Sequence, residues 1–217
     1  MASMDKYPFK FDCPMNCVVY GPSQSGKSTF IQKIFDTPSI WQQPIDRCFY
    51  FYGIESEALS EIKNKHPEFI FIKGLPPNLE ELFDENLYEC AVFDDLTSEI
   101  EKSPDFTQFL TRVTHHKCVA CFVLCHFLFG PAREKRLQAQ NYHVLVVFGN
   151  KRGNQQIQTL ARQCGICEPK FMSSVYADAT KKPHSYLIVD LRQTVPMEQK
   201  LLTNIFQEED EPVWLYL

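Results

Sequence analysis

Short apolar runs, rich in β-branched and aromatic residues, recur along the chain and alternate with amphipathic stretches. Seven of these runs read as strands: NCVVY (16–20), RCFYFYG (47–53), EFIFIK (68–73), CAVFDDL (90–96), VACFVLCH (119–126), HVLVVFG (143–149) and SYLIVDL (185–191). Most are apolar at consecutive positions, the pattern of strands covered on both faces. Between them KSTFIQKIF, SEALSEIKNKH, NLEELF, DFTQFLTRVTHH and QQIQTLARQC carry helical spacing. Strands alternating with helices predict an α/β fold, with a mainly parallel central sheet flanked by helices on both faces. Repeats and low-complexity segments are absent.

At 217 residues the chain accommodates one well-packed domain, expected over residues 1–206. Residues 207–217 form a distinct tail, in which EEDE is followed by PVWLYL. Two readings of the tail stand open: an aromatic end packed on the domain, or a docking peptide. No run approaches 18 uninterrupted apolar residues, which argues against a membrane span. The first residues hold no apolar stretch of secretory type, so the chain is expected to stay in the compartment where it is made. Nine cysteines in such a chain suggest a reducing compartment and buried thiols. Cys118 and Cys121 form a CxxC pair, as do Cys164 and Cys167, but strand alternation would point Cys118 and Cys121 to opposite faces. Small apolar cysteines are therefore favoured over a zinc site.

GPSQSGKS (21–28) satisfies the G-x-x-x-x-G-K-[ST] pattern, with an apolar strand before it and an amphipathic helix after it. Gly21 and Gly26 let the backbone turn sharply and bring amides close to phosphate oxygens. The helix starting near Lys27 points its positive end at the same charge. Gly21, Pro22, Ser23, Gln24, Ser25, Gly26, Lys27, Ser28 and Thr29 are thus the candidate nucleotide-binding residues. In them Lys27 would reach the β- and γ-phosphates and the Ser28 hydroxyl would ligate Mg²⁺. The strand of CAVFDDL ends in Asp94-Asp95, at the sheet edge where open α/β sheets bind ligands. Asp94 is the candidate metal carboxylate and Asp95 the candidate group to polarise the attacking water, against a plainer role as a helix cap. Two strand segments between the phosphate loop and Asp94 suggest a RecA-like (ASCE) P-loop NTPase, with a strand inserted between the two motif strands. GNKRG (149–153) is close to a guanine-reading NKxD box, but Gly153 stands where the aspartate is needed, which argues against a GTPase.

The order of the remaining motifs carries a resemblance. VLCHFLFG (123–130), Arg136, YHVLVVFGNKRGNQQIQTLARQ (142–163) and HSYLIVDLRQTVP (184–196) follow one another as in the genome-packaging ATPases of the FtsK/HerA superfamily, found in poxviruses, virophages and Maverick/Polinton-type elements. The chain resembles that family from about residue 15 to about residue 206. The resemblance implies ATP and Mg²⁺ as cofactors, with Lys27, Ser28, Asp94 and Asp95 in the roles already derived. His126 stands where the family usually carries a sensor glutamine or asparagine. Arg152 matches a family arginine, and Gly153 replaces its usual aspartate, which implies a loosened turn or a divergent member. Rings of this superfamily imply an arginine that reaches a neighbour's nucleotide, for which Arg136 and Arg152 rank ahead of Arg133.

The implied job is a motor that drives double-stranded viral DNA into a preformed capsid, as a self-associated ring at a capsid or portal vertex. Its expected place is the host cytoplasm or nucleus where virions assemble, or the virion itself. The formal net charge is −5, yet residues 133–152 hold five Lys/Arg and only one acidic residue, Glu134. This stretch could line a DNA channel through backbone phosphates, or sit at subunit junctions. A nucleoside or nucleotide kinase, with Pro131–Arg136 as a short lid, and a nucleotide-binding scaffold without turnover stand as the alternatives.

Overall fold

A computed structural model describes residues 2–4, 9–150, 153–206 and 213–216. Its strands are β1 (Ala2–Met4), β2 (Met15–Tyr20), β3 (Arg47–Tyr52), β4 (Ile70–Lys73), β5 (Glu89–Asp94), β6 (Val119–Cys125), β7 (Val144–Phe148), β8 (Tyr186–Asp190), β9 (Leu201–Thr203) and β10 (Val213–Leu215). They form one sheet in the order β1-β10-β9-β8-β7-β2-β6-β5-β3-β4. The six strands from β7 to β4 run parallel, and those from β8 to β1 are added antiparallel. The strand inserted between the phosphate-loop strand β2 and the acidic strand β5 is β6.

The helices are α1 (Lys27–Asp36), α2 (Glu57–Lys65), α3 (Thr97–Ile100), α4 (Pro104–Gln108), α5 (Thr114–His116), α6 (Arg133–Ala139), α7 (Asn154–Cys164) and α8 (Pro169–Ala179). A π-helical turn, Phe109–Val113, joins α4 to α5. Side-chain alternation along each strand builds two cores. From β2, Val18 and Tyr20 join a core with Phe106, Phe109, Ile157 and Met172. Cys17 and Val19 face the other way, onto Phe30 and Ile34 of α1 and Leu59 of α2. Burial on both faces explains why the strands read as unbroken apolar runs.

Register positions the site. Tyr20 pairs with Cys125, Phe93 with Val123 and Tyr52 with Asp94, so β2, β6, β5 and β3 end nearly level. At the opposite end β5 is anchored by Glu89, which is fully buried; Arg47 Nε donates to its Oε1 at 2.5 Å and the Asp84 amide to its Oε2 at 2.7 Å.

Several details differ from the sequence expectations. NLEELF is a short 3-10 turn, Leu79–Leu82, entered through Asn78 at φ 59°, rather than an α-helix. Cys118 lies before β6 in a left-handed turn (φ 50°) rather than within the strand. Burial pushes the thiols of Cys17, Cys90 and Cys121 well above their usual range, as small apolar core residues should behave. Helix α6 escaped the hydrophobic pattern because its buried residues are Lys135 and Gln138. Lys135 is 1% exposed with its Nζ 3.3 Å from Glu101 Oε1, which removes it from the basic stretch available to DNA. Gln138 donates to the Ile100 carbonyl (2.7 Å) and to Thr107 Oγ1 (3.1 Å). Of the tail, Val213–Leu215 pairs with β9 and β1, and Tyr216 is buried with its hydroxyl on Asp178 Oδ2 at 3.0 Å.

Replacing Arg47 with Met leaves the buried Glu89 carboxylate with only the Asp84 amide. A stability loss of about 3 kcal/mol is expected in urea unfolding; a loss below about 0.5 kcal/mol would show that the amide alone suffices.

Candidate active site

The loop between β2 and α1 is shaped by close approach and by left-handed backbone. A Cβ on Gly21 would lie 2.5 Å from Ser25 Oγ and 2.8 Å from Phe148 Cβ, so only glycine fits there. Gln24 (φ 61°) and Gly26 (φ 104°) turn the chain back into α1, which begins at Lys27. Lys27 is buried, and its Nζ donates to the carbonyls of Gly21 (2.9 Å) and Pro22 (3.0 Å). Burial lowers the Lys27 pKa, and the Asp94 carboxylate opposes that shift. Ser25 Oγ is buried with no hydrogen-bond partner among the described residues. Pro22 is half-buried, while Ser23 and Thr29 are exposed on the rim. An orphaned hydroxyl and a desolvated ammonium at the start of a ten-residue helix suit a multiply charged anion.

Across from the loop, Asp94 Oδ2 accepts from Tyr50 OH at 2.8 Å and from Ser28 Oγ at 3.4 Å. Burial raises the Asp94 carboxyl above its usual range, the Tyr50 hydrogen bond works against this, and Asp95 adds to it. A carboxylate desolvated beside a serine hydroxyl is a fit partner for a hard divalent cation. Asp95 takes φ 53° in the turn after β5, and the next helix is not its concern: the α3 N-cap is Leu96, with no side-chain cap. The Asp95 side chain is therefore left for His126, whose Nε2 lies 3.8 Å from Asp95 Oδ1. His126 Nδ1 lies 3.1 Å from the Gly21 carbonyl. A carbonyl only accepts, so Nδ1 carries the hydrogen, and Nε2 is the atom that addresses Asp95. The structure thus brings Gly21–Ser28, Asp94, Asp95 and His126 to one edge of the sheet.

Two members of this cluster were not picked out from sequence. Tyr50 sits inside an aromatic run, RCFYFYG, where a hydroxyl at one position carries no signal of its own. Gly53 ends that run. Its amide donates to the Asp94 carbonyl at 2.9 Å, and a Cβ there would stand 2.2 Å from the Asp95 carbonyl oxygen. Gly53 is thus what allows the left-handed Asp95 turn to lie flat on β3.

The arginines are placed differently. Arg136 is exposed on α6, its side chain making no ion pair or hydrogen bond to another described residue, and Arg133 is exposed at the start of the same helix. Arg152 lies outside the described residues. Gly153 has a steric reason. A Cβ there would approach the Tyr20 hydroxyl to 2.8 Å and Asn150 Cβ to 3.1 Å. Asn150 Nδ2 donates to that hydroxyl at 2.9 Å, and the Asn150 amide donates to Tyr176 OH at 2.7 Å. The phenol at the end of β2 occupies the space a side chain at 153 would need.

No protein-family model and no curated protein matches the chain. Solved structures do. The crystal structure of B204, the DNA-packaging ATPase from Sulfolobus turreted icosahedral virus, superposes with a TM-score of 0.55 at 12% identity, over 85% of this chain and 96% of that one. The genome-packaging NTPase B204 from Sulfolobus turreted icosahedral virus 2 gives 0.52 at 14% identity in complex with sulfate, over 84% and 94%. In complex with AMPPCP it gives 0.51 at 12%, over 84% and 95%. The fold is that of a RecA-like P-loop NTPase. At such identities the likeness is one of architecture.

Gly153→Ala is expected to cost about 1–3 kcal/mol of stability through overpacking against Tyr20. Tyr20→Phe removes the colliding oxygen, so the double variant should lose less than the two single losses combined. Additive losses in chemical denaturation would refute the steric pairing.

Proposed function

We propose that this chain is a Mg²⁺-dependent ATPase that works as a ring-forming motor, moving double-stranded DNA into a preformed viral capsid. The observation that carries the hydrolytic part is the meeting of Ser28 and Asp94 at 3.4 Å, with Lys27 on one side and Asp95 on the other. In this reading the loop amides, Ser25 and Lys27 bind the triphosphate. Ser28 and Asp94 hold the metal, with Tyr50 orienting the carboxylate. Bound there, Mg²⁺ would neutralise charge on the β- and γ-phosphate oxygens. Asp95 polarises the attacking water, and His126, spanning from the Gly21 carbonyl towards Asp95, reports the state of the phosphate end to the water end.

The packaging role is supported by the order of motifs along the chain and by a fold shared with packaging NTPases. Arg136, exposed and unengaged on α6, and Arg152 are the candidates to reach a neighbouring subunit's nucleotide. Arg133 and Arg136 are the basic residues of the 133–152 stretch exposed to DNA backbone among the described residues. No helix among the described residues is long and apolar enough to cross a membrane. The kinase reading loses support, because its lid segment enters α6, which Lys135 and Gln138 anchor to the segment following Asp95.

Phosphate release, measured on material sized by light scattering, tests the proposal. ATP turnover is expected to rise with double-stranded DNA, and to fall at least about 100-fold in Lys27→Ala and in Asp95→Asn. Tyr50→Phe should leave stability within about 1 kcal/mol and lower turnover more than nucleotide affinity. Retained turnover in Lys27→Ala would falsify the hydrolytic assignment. Turnover that ignores DNA but requires a nucleoside acceptor would favour the kinase, and nucleotide binding without turnover in the assembled ring would favour the scaffold.

A further inference from the structure

The end of the sheet opposite the phosphate loop is held by a reciprocal pair. The His143 amide, just before β7, donates to the Asn16 carbonyl at 2.8 Å, and the Asn16 amide of β2 donates to His143 Nδ1 at 3.0 Å. Asn16 is fully buried, and its Nδ2 donates to the carbonyls of Leu110 (2.8 Å) and Asn141 (3.0 Å). Leu110 belongs to the π-helical turn and Asn141 to the link between α6 and β7. The His143 carbonyl accepts from the Leu191 amide, just after β8, at 2.8 Å. One asparagine and one histidine thus join β2, the turn between α4 and α5, the entry to β7 and the end of β8.

A backbone amide only donates, so His143 Nδ1 is an acceptor here and the ring is neutral, with its hydrogen on Nε2. Protonation would set Nδ1–H against the Asn16 N–H. The ring must then turn away, leaving a buried amide without its acceptor. The titratable and charged groups around the ring come from α5 and from β8 with the residues after it. From α5 the His115 ring stands edge-on, with centroids 5.4 Å apart. Arg192 follows β8, and Asp190 of β8 is itself engaged by Arg192 Nη2 at 2.6 Å. Burial lowers the His143 pKa most, His115 and Arg192 lower it further, and Asp190 opposes them.

We propose that this pair is an acid-sensitive joint: neutral His143 locks the base of β2, and a proton on Nδ1 releases it. In the unfolded chain an imidazole takes up its proton near pH 6.5, whereas the fold holds His143 below that value. The unfolded state therefore binds more protons as the pH falls. The stability supplied by the joint is complete above about pH 6.5 and is lost on acidification towards the folded value. β2 runs from this joint straight into the phosphate loop, yet none of the joint's residues belongs to the proposed ATPase machinery, and the inference stands apart from that reading.

Urea unfolding of the full chain at pH 8 and at pH 5 tests this in the unaltered protein, in His143→Gln and in His115→Gln. Relative to His143→Gln, the folding equilibrium constant of the unaltered chain is expected to fall at least about 10-fold between the two pH values. The ceiling is about 30-fold, for one proton taken up by the unfolded state alone. His115→Gln should keep most of this fall. Equal falls in the unaltered chain and in His143→Gln overturn the joint, and so does a fall that vanishes in His115→Gln instead. A second measurement needs no variant. Hydrogen-exchange protection of the Asn16 amide, corrected for the intrinsic pH dependence of exchange, should drop at least about 10-fold from pH 8 to pH 5, and by more than that of Val18 in the middle of β2. Unchanged protection at Asn16 overturns the proposal even where His143→Gln fails to fold.

Discussion

A carboxylate held out of water at the tip of β5 is the constraint from which the rest of the site follows. Asp94 is desolvated by the strands around it, and burial alone would drive it towards its neutral form. It is kept useful as an anion by what points at it: the Tyr50 hydroxyl, the Ser28 hydroxyl and, further off, the Lys27 ammonium. Lys27 suffers the complementary penalty, since burial disfavours its charge while Asp94 supports it. Each charge is tolerable in part because of the other. A site arranged in this way is preorganised for a ligand that carries both signs of charge.

Such an arrangement needs strand tips that end together, and the sheet supplies this through register. Tyr20, Cys125, Asp94 and Tyr52 finish nearly level, so the turns that follow them lie side by side. Glycine then decides what can share the edge. Gly53 yields to the Asp95 carbonyl, Gly21 to Ser25 and Phe148, and Gly153 to the Tyr20 hydroxyl. With tyrosine at the end of β2, its hydroxyl, bound by Asn150, leaves no room for a side chain at 153.

Polar contacts behind the sheet link the segments that leave these tips. Lys135 reaches Glu101, and Gln138 reaches Ile100 and Thr107, tying α6 to the chain following Asp95. Gln156 of α7 accepts from the Leu128 amide at 2.7 Å, tying the chain after His126 to α7. The turn after β5 is thus joined to α6, the helix that presents Arg136 outward, and the chain after His126 to α7. Charged and amide side chains pointing inward make these links directional, where an apolar interface would allow sliding.

The sequence by itself determined the fold class, the seven principal strands and the phosphate loop with its acidic partner strand. These are local properties: a strand buried on both faces is apolar at every position, and the loop residues are contiguous. NLEELF misled because its short helical spacing fits a 3-10 turn entered through the left-handed Asn78 as well as an α-helix, and α6 escaped because its inward residues are polar. Only the tertiary structure could bring Tyr50 to Asp94, 44 positions away, or His126 to the Gly21 carbonyl, 105 positions away. The same holds for the steric claim of Tyr20 on Gly153. Such contacts are set by which strands neighbour one another and in what register, and no pattern within a single segment encodes that.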